Sequence, residues 1–326
     1  MKIDADLTAM SDLDADAVLK SRNDPERIAT RIGSLLNFYF LRGWEKRREV
    51  VEVVEEFLRL PGCRIEHYAS KEGKRRRLER NGQLPAQSLN SLGKGPEESL
   101  YFSLYEDLGG DYVSTPLWET WGMAYGTSDP GRKLSGVHFH LPASEVLTNT
   151  ENFIAFSCFC AEALGLIHGT AGLGVLGGIG SERSTDAYWY PWLKAYPCLE
   201  YEASGLYWNA VERDGYEVPR SSNWLTILGD DNIALLGGET QIRTQLTEGM
   251  AWIPFRGGAI IRASDKPALG NKASGGVPEG YRTAARIIKP IRFEGYKRGI
   301  IKTPREWGYS REQDLQVTLD WVRRFD

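Results

Sequence analysis

Apolar and polar positions alternate along this chain in two rhythms. One has the helical period of three to four residues. EKRREVVEVVEEFLRLPG is amphipathic in that sense and stops at Pro61-Gly62. TNTENFIAFSCFCAEALG follows it, capped by Asn149 or Thr148 and closed by Gly165. TQIRTQL, EGYRTAARIIKPI and SREQDLQVTLDWVRRF complete the clear helices, the last with Ser310 and Gln313 in capping-box spacing. NDPERIATRIGSLLNFYFLRGW is also read as a helix, with Asp24 as cap, Pro25 in the first turn, and Ile28, Ile32, Leu35 and Tyr39 on one face. SSNWLTILGDDNIALLGG, residues 221–238, is read the same way: Ser221 or Ser222 caps it and Gly237-Gly238 end it. That leaves Asp230-Asp231 in the middle of an element that is otherwise built for burial.

The second rhythm is alternation. In SLYFSLYEDL, Leu100, Phe102 and Leu104 share a face; in SGVHFHLP, Val137, Phe139 and Leu141 oppose His138 and His140. RIEHYA, LIHGTAGLGVLGGIG and GLYWNAV read as strands, and MAWIPFRGGAIIRAS as a strand pair. Helices and strands intersperse without a βαβ rhythm. The expected class is α+β, a mainly antiparallel sheet packed with helices. Residues 99–176 and 206–293 are candidates for two similar halves. No clear linker divides the chain, so 1–326 is expected to be a single domain, with an acidic tail at 1–23 and a long basic loop at 70–98. That loop carries Lys71, Lys74, Arg75, Arg76, Arg77 and Arg80.

Composition narrows the class. Hydrophobic residues are 41% and charged residues 26%, a globular balance rather than a disordered one. No run of 18 apolar residues suggests a membrane span, and the start lacks the basic and apolar regions of a secretory signal. Four cysteines (Cys63, Cys158, Cys160, Cys198) fit a reducing compartment. The expectation is a cytoplasmic protein with no membrane partner.

Net charge is −4, and its distribution says more. Residues 95–182 hold two basic residues (Arg132, Lys133) against eleven acidic ones. Between Glu97 and Gly131 lie seven carboxylates (Glu97, Glu98, Glu106, Asp107, Asp111, Glu119, Asp129), no Lys or Arg, and the aromatics Tyr101, Phe102, Tyr105, Tyr112, Trp118, Trp121 and Tyr125. Exposed, these would attract a cationic partner through aromatic anchors; at strand spacing, some of the aromatics belong to a core. WETWGMAY is expected to be partly exposed.

Catalytic motifs are sparse. There is no HExxH, no GxSxG and no P-loop, and GKG at 93–95 lacks the Ser/Thr that would touch magnesium. Gly172, Gly174 and Gly177 match GxGxxG, but a helix precedes them and the segment after them does not read as helical, so close backbone packing explains them better. His138-x-His140 puts two imidazoles on one strand face, which can hold a metal if a third ligand joins them. Solvent-facing or core-satisfied histidines are the simpler reading, and no cofactor is expected. Residues 286–305 hold seven basic residues against Glu294, a candidate phosphate stripe opposed by a sequence pI of about 5.8.

One resemblance organises these observations. Trp224-Leu225-Thr226, Leu228-Gly229, Leu236-Gly237-Gly238, Pro267-Ala268-Leu269-Gly270, Tyr281-Arg282 and Lys289-Pro290-Ile291-Arg292, with FSCFCAEALGLIHGTAGLG upstream, resemble the type VI immunity family. Asn271 departs from the acidic residue that the family pattern has there. The resemblance implies an immunity protein that binds and neutralises a cognate type VI secretion effector in the cytoplasm. It supplies no catalytic residue, so the chain is expected not to be an enzyme. A nuclease is the expected toxin, because a cationic, phosphate-binding cleft suits an acidic inhibitor surface. Glu97, Glu98, Glu106, Asp107, Asp111, Trp118 and Trp121 are the candidate toxin-binding residues. Two alternatives are a metal-dependent enzyme using His138 and His140, and a nucleic-acid-binding regulator using residues 71–80 and 286–305. Oligomeric state stays open.

Overall fold

The structure, a computed structural model, describes residues 12–326 apart from 22–23, 70–74, 79–94, 107–113, 130, 132, 178–181, 203, 272–274, 302 and 304–306, and apart from the side chains of 182–188 and 204. Along the chain run α1 (Leu13–Asp16), β1 (Val18–Lys20), β2 (Ile28–Phe40), α2 (Arg47–Arg59), β3 (Ile65–Ala69), β4 (Arg75–Arg77), β5 (Leu100–Glu106), β6 (Glu119–Ala124), β7 (Ser135–Leu141), α3 (Ala143–Thr148), α4 (Thr150–Leu164), β8 (His168–Gly177), α5 (Glu182–Ala195), β9 (Glu200–Tyr201), α6 (Ser204–Ala210), β10 (Leu225–Gly229), α7 (Asp230–Leu235), α8 (Glu239–Arg243), β11 (Ala251–Phe255), β12 (Gly258–Arg262), α9 (Glu279–Ile288) and α10 (Arg311–Val322). The described strands form one sheet of the expected α+β class, in the order β11-β12-β10-β8-β2-β7-β6-β5-β3-β4. β1 pairs with the start of β2, and β9 lies along the end of β8, in the sheet's one parallel pairing. The two stretches considered as similar halves enter this same sheet.

Most expected elements are found, and several differ. Residues 28–40 are the central strand β2, not a helix. All but the first are buried, so apolar residues occur on both faces and mimic a helical stripe. Residues 225–229 are likewise a fully buried strand. The helix begins only at Asp230, so Asp230-Asp231 occupy its first turn, where the helix dipole favours carboxylates. GLYWNAV belongs to α6, with Tyr207, Trp208 and Val211 buried at helical spacing. Residues 182–195, not read as helical, form α5. Within 70–98, Arg75–Arg77 form a strand paired with β3, and most of the remainder lies outside the described residues.

Alternation gives the sheet two unlike faces. On one, Leu36, Phe38, Val137, Phe139 and Leu141 meet α2 and α4. α2 offers Val50, Val53, Val54 and Phe57 at helical spacing; Phe57 lies 4.8 Å from Phe139, which lies 5.2 Å from Phe156 of α4. Each such fully buried side chain contributes roughly 1.5–3 kcal/mol. The other face carries Asn37, Tyr39, His138, His140, His168 and Thr170. Polar groups there must find partners inside the protein. His138 Nδ1 lies 2.8 Å from Asn37 Oδ1 across the strand pair, and the His138 ring stacks on Trp121 at 4.3 Å. At the β10–β12 end this face is covered instead by Ile233 of α7 and Ala284, Ile287 and Ile288 of α9.

A buried ion pair joins the polar face to the C-terminal elements. Arg220 Nη2 donates to Glu200 Oε1 at 2.8 Å and to the Tyr201 carbonyl at 2.8 Å, and Asn223 Nδ2 donates to Glu200 Oε2 at 3.2 Å. The guanidinium lies over the rings of Tyr201, Tyr207 and Trp321, 5.2–5.6 Å from their centroids. Arg324 then anchors the chain end to the carbonyls of Pro197 and Ser222. The capping box of α10 is formed: Ser310 Oγ accepts from the Gln313 N–H and Gln313 Oε1 from the Ser310 N–H.

Two stability predictions follow from this interior. Arg220→Met leaves the Glu200 carboxylate buried without its cation and is expected to destabilise by about 3–5 kcal/mol. Adding Glu200→Gln should recover part of that loss in a urea melt; equal loss in single and double variants would mean that packing, not charge, is at stake. Burial pushes the His138 imidazole well below its usual range and His168 to about 3, with the Arg220 charge adding to both. The unfolded chain takes up these protons as pH falls through about 6.5 and the folded chain does not. Stability should therefore fall below that pH by about 1.4 kcal/mol per unit for each ring. Melts between pH 7.5 and 5 check it, and His168→Asn should flatten the slope.

Candidate functional site

Of the seven residues proposed from sequence, the five described ones do not form one surface. Glu106 is buried at the end of β5, where it accepts from the Leu117 N–H and faces Arg64 at 3.8 Å. Trp118 is core, with its ring 5.7 Å from Phe57. Both side chains are turned inward by strand spacing rather than held at the free surface. Trp121 is half-buried against His138. Asp107 and Asp111 lie outside the described residues. Glu97 and Glu98 are exposed, on the turn that leads into β5.

The other candidate chemistries are placed as well. His140 Nδ1 lies 3.2 Å from Glu119 in the interior, and His138 is committed to Asn37 and Trp121. Among the described residues no group of three or more His, Cys, Asp or Glu is arranged to hold a metal. Gly172, Gly174 and Gly177 lie within strand β8 itself, although a helix does follow. A Cβ at Gly174 would meet Leu35 Cβ at 2.8 Å, which supports the close-packing reading. In the basic stretch 286–305, Arg286 pairs with Glu279, Lys289 with Asp326, and Arg292 with Glu294 and Asp326. Arg292 holds the Asp326 carboxyl down to about 2. These cations face carboxylates rather than forming an open stripe for phosphate.

A cleft of about 320 Å³ opens beside the exposed carboxylates. Three loops distant in sequence build it. The turn after β2 supplies Leu41, Arg42 and Trp44; the segment after β6 supplies Gly126, Thr127, Asp129 and Lys133; the turn after α6 supplies Tyr216 and Glu217. Two glycines let the walls close up. A Cβ at Gly43 would lie 2.5 Å from the Tyr125 nitrogen, and one at Gly126 would lie 2.4 Å from the Glu97 carbonyl oxygen. The Glu97–Glu98 turn is thereby pinned to the cleft. Ser99 Oγ donates to Asp129 Oδ2 at 2.6 Å, the Thr127 N–H donates to the Pro96 carbonyl, and Arg47 Nη2 donates to the carbonyls of Gly95 and Glu98.

The charges of the cleft are partly committed. Arg42 lies 3.3 Å from Glu45. Lys133 donates to the Tyr216 hydroxyl at 3.0 Å and stands 4.9 Å from that ring's centroid. The contact with Tyr216 holds the Lys133 ammonium above the usual lysine range. Arg42 also has φ 53° and ψ 53°, among the described residues the one non-glycine with positive φ. Such strain costs on the order of 1–2 kcal/mol and concentrates at functional sites. Sequence reasoning missed Trp44, Lys133 and Tyr216, because only the fold brings them together.

Arg42→Gly relieves this conformation and gives up only an exposed ion pair. It is expected to stabilise by up to about 1 kcal/mol, read as a higher urea midpoint at unchanged slope. A lower midpoint would mean that the Arg42 side chain carries more than its contact with Glu45.

Comparison with known proteins agrees with the architecture. The solved structure of the Pseudomonas aeruginosa T6SS protein PA0821 superposes with a TM-score of 0.77 at 20% identity, covering 96% of this chain and 87% of that one. At that identity the likeness is one of fold. No curated protein matches the chain. Among the described residues no helix is long and apolar enough to cross a membrane. The sequence matches the family TsiV, described as type VI immunity for VRR-NUC, over residues 49–325, and so the chain belongs to this type VI immunity family.

Proposed function

We propose that this protein binds and silences a cognate type VI secretion effector of the VRR-NUC nuclease class, acting in the cytoplasm as a stoichiometric inhibitor rather than an enzyme. The family match over residues 49–325 carries this reading. The charge pattern supports it. A nuclease must present a cationic surface to phosphate, and residues 95–182 hold eleven carboxylates against two basic residues, so their negative charge is largely uncompensated. Glu97 and Glu98 stand exposed on a turn fixed by hydrogen bonds, so a partner meets them with little ordering cost. Electrostatic steering also gives fast capture, which suits interception of a toxin.

Titrating the purified effector's nuclease activity with this protein tests the proposal. Inhibition should be complete near one equivalent, and co-expression should protect a host from the effector. Complete inhibition far below one equivalent would point to catalysis. Unchanged nuclease activity at excess would sink the reading for that effector. Glu97→Lys with Glu98→Lys should slow association and reduce its salt dependence, with the fold intact by circular dichroism.

A further inference from the structure

We infer that the cleft between Trp44, Asp129 and Tyr216 receives a lysine or arginine side chain of the effector, and that Lys133 is an internal competitor for the same place. The inference rests on the effector-binding reading and specifies one anchor within it. The cleft combines the features that hold an organic cation. Tyr216 and Trp44 supply aromatic walls, and Asp129 and Glu217 supply carboxylates. Aromatic faces attract ammonium and guanidinium groups through their quadrupole, and nearby carboxylates add Coulomb attraction.

The protein's own Lys133 makes the same kind of contact. Lys133 is exposed, yet it lies at the Tyr216 ring and hydroxyl. An exposed lysine has many alternative rotamers, so its placement here marks the position where a cation is favoured. The surroundings bias the site the same way. The other lining cation, Arg42, already faces Glu45, and the Glu97–Glu98 turn is fixed to the cleft wall through Gly126. A cationic nuclease surface thus meets carboxylates around a pre-formed aromatic slot. The walls are set before binding: Gly43 and Gly126 seat the loops against the sheet, so an entering side chain loses its own freedom but need not order the cleft.

Lys133 gives the inference a test that damage cannot imitate. Removing it vacates the Tyr216 face and deletes a like charge opposing the incoming one. Lys133→Ala should therefore tighten binding to the purified cognate effector by about threefold or more and speed association at low salt. Trp44→Ala should weaken binding by about tenfold or more, and Glu217→Gln by a few fold. Calorimetry with the full chain reads all three, with a melt confirming that each variant is folded. A folded Trp44→Ala variant with wild-type affinity would overturn the inference. So would a Lys133→Ala variant that binds more weakly, since Lys133 would then be a contact and not a competitor. Either result, with wild type still binding, leaves the inhibitor reading standing; failure of wild type to bind the effector removes that reading and the cleft's role with it.

Discussion

The buried Arg220–Glu200 pair is the constraint around which the second face of the sheet is arranged. Two opposite charges without solvent must lie near one another and share hydrogen bonds, or the fold pays several kcal/mol for each. Glu200 lies on β9 and Arg220 on the approach to β10, and both are held by groups from elsewhere: Asn223, the Tyr201 carbonyl, and the rings of Tyr207 and Trp321. Strand β9, helix α6, the segment before β10 and helix α10 can therefore assume only one mutual placement. His138 and His168 on the same face stay neutral beside this cation, which couples the interior to pH without exposing a titrating group.

The sheet and its helices do for the surface what a frame does for a set of loops. β2 and β6 end at the same side, so the turns after them sit next to one another, and the segment after α6 comes to the same place. Glycines at the two contacts permit backbone approaches that any side chain would prevent. The polar groups of the acidic turn are then used internally by its backbone and by Ser99, while Glu97 and Glu98 remain outward. Rigid presentation of a few carboxylates is what an inhibitor needs, because the entropy of ordering them has been lost at folding and not at binding.

Much of this was legible in the sequence where one face is wet and one is dry. α2 and α10 follow the helical period and their stop or cap signals, and β5 and β7 alternate as half-buried strands should. The reading failed where both faces are dry. β2 and β10 have no solvent-exposed face to set a period, so Ile32, Leu35 and Tyr39 on one, and Trp224 to Leu236 across the other and its following helix, mimic a helical stripe. The acidic aromatic segment stands out by composition, but composition does not say which residue faces out: Glu97 does, while Glu106 and Trp118 turn in. The cleft itself lay beyond a linear reading, since its walls are 172 residues apart in sequence, from Trp44 to Tyr216. The signal that could have been used is Gly43 and Gly126, glycines at loop positions where no turn type demands them.

Among the described strands the sheet ends on β4 and β11, and these edges have their own chemistry. An edge strand offers unpaired amides to any strand that approaches, including one from an identical molecule. β4 is three consecutive arginines, and β11 contains Pro254, which has no N–H to offer. Antiparallel pairing of β4 with a second β4 would set guanidinium groups against one another. Charge on β4 and a proline on β11 thus disfavour strand pairing between two copies of this sheet.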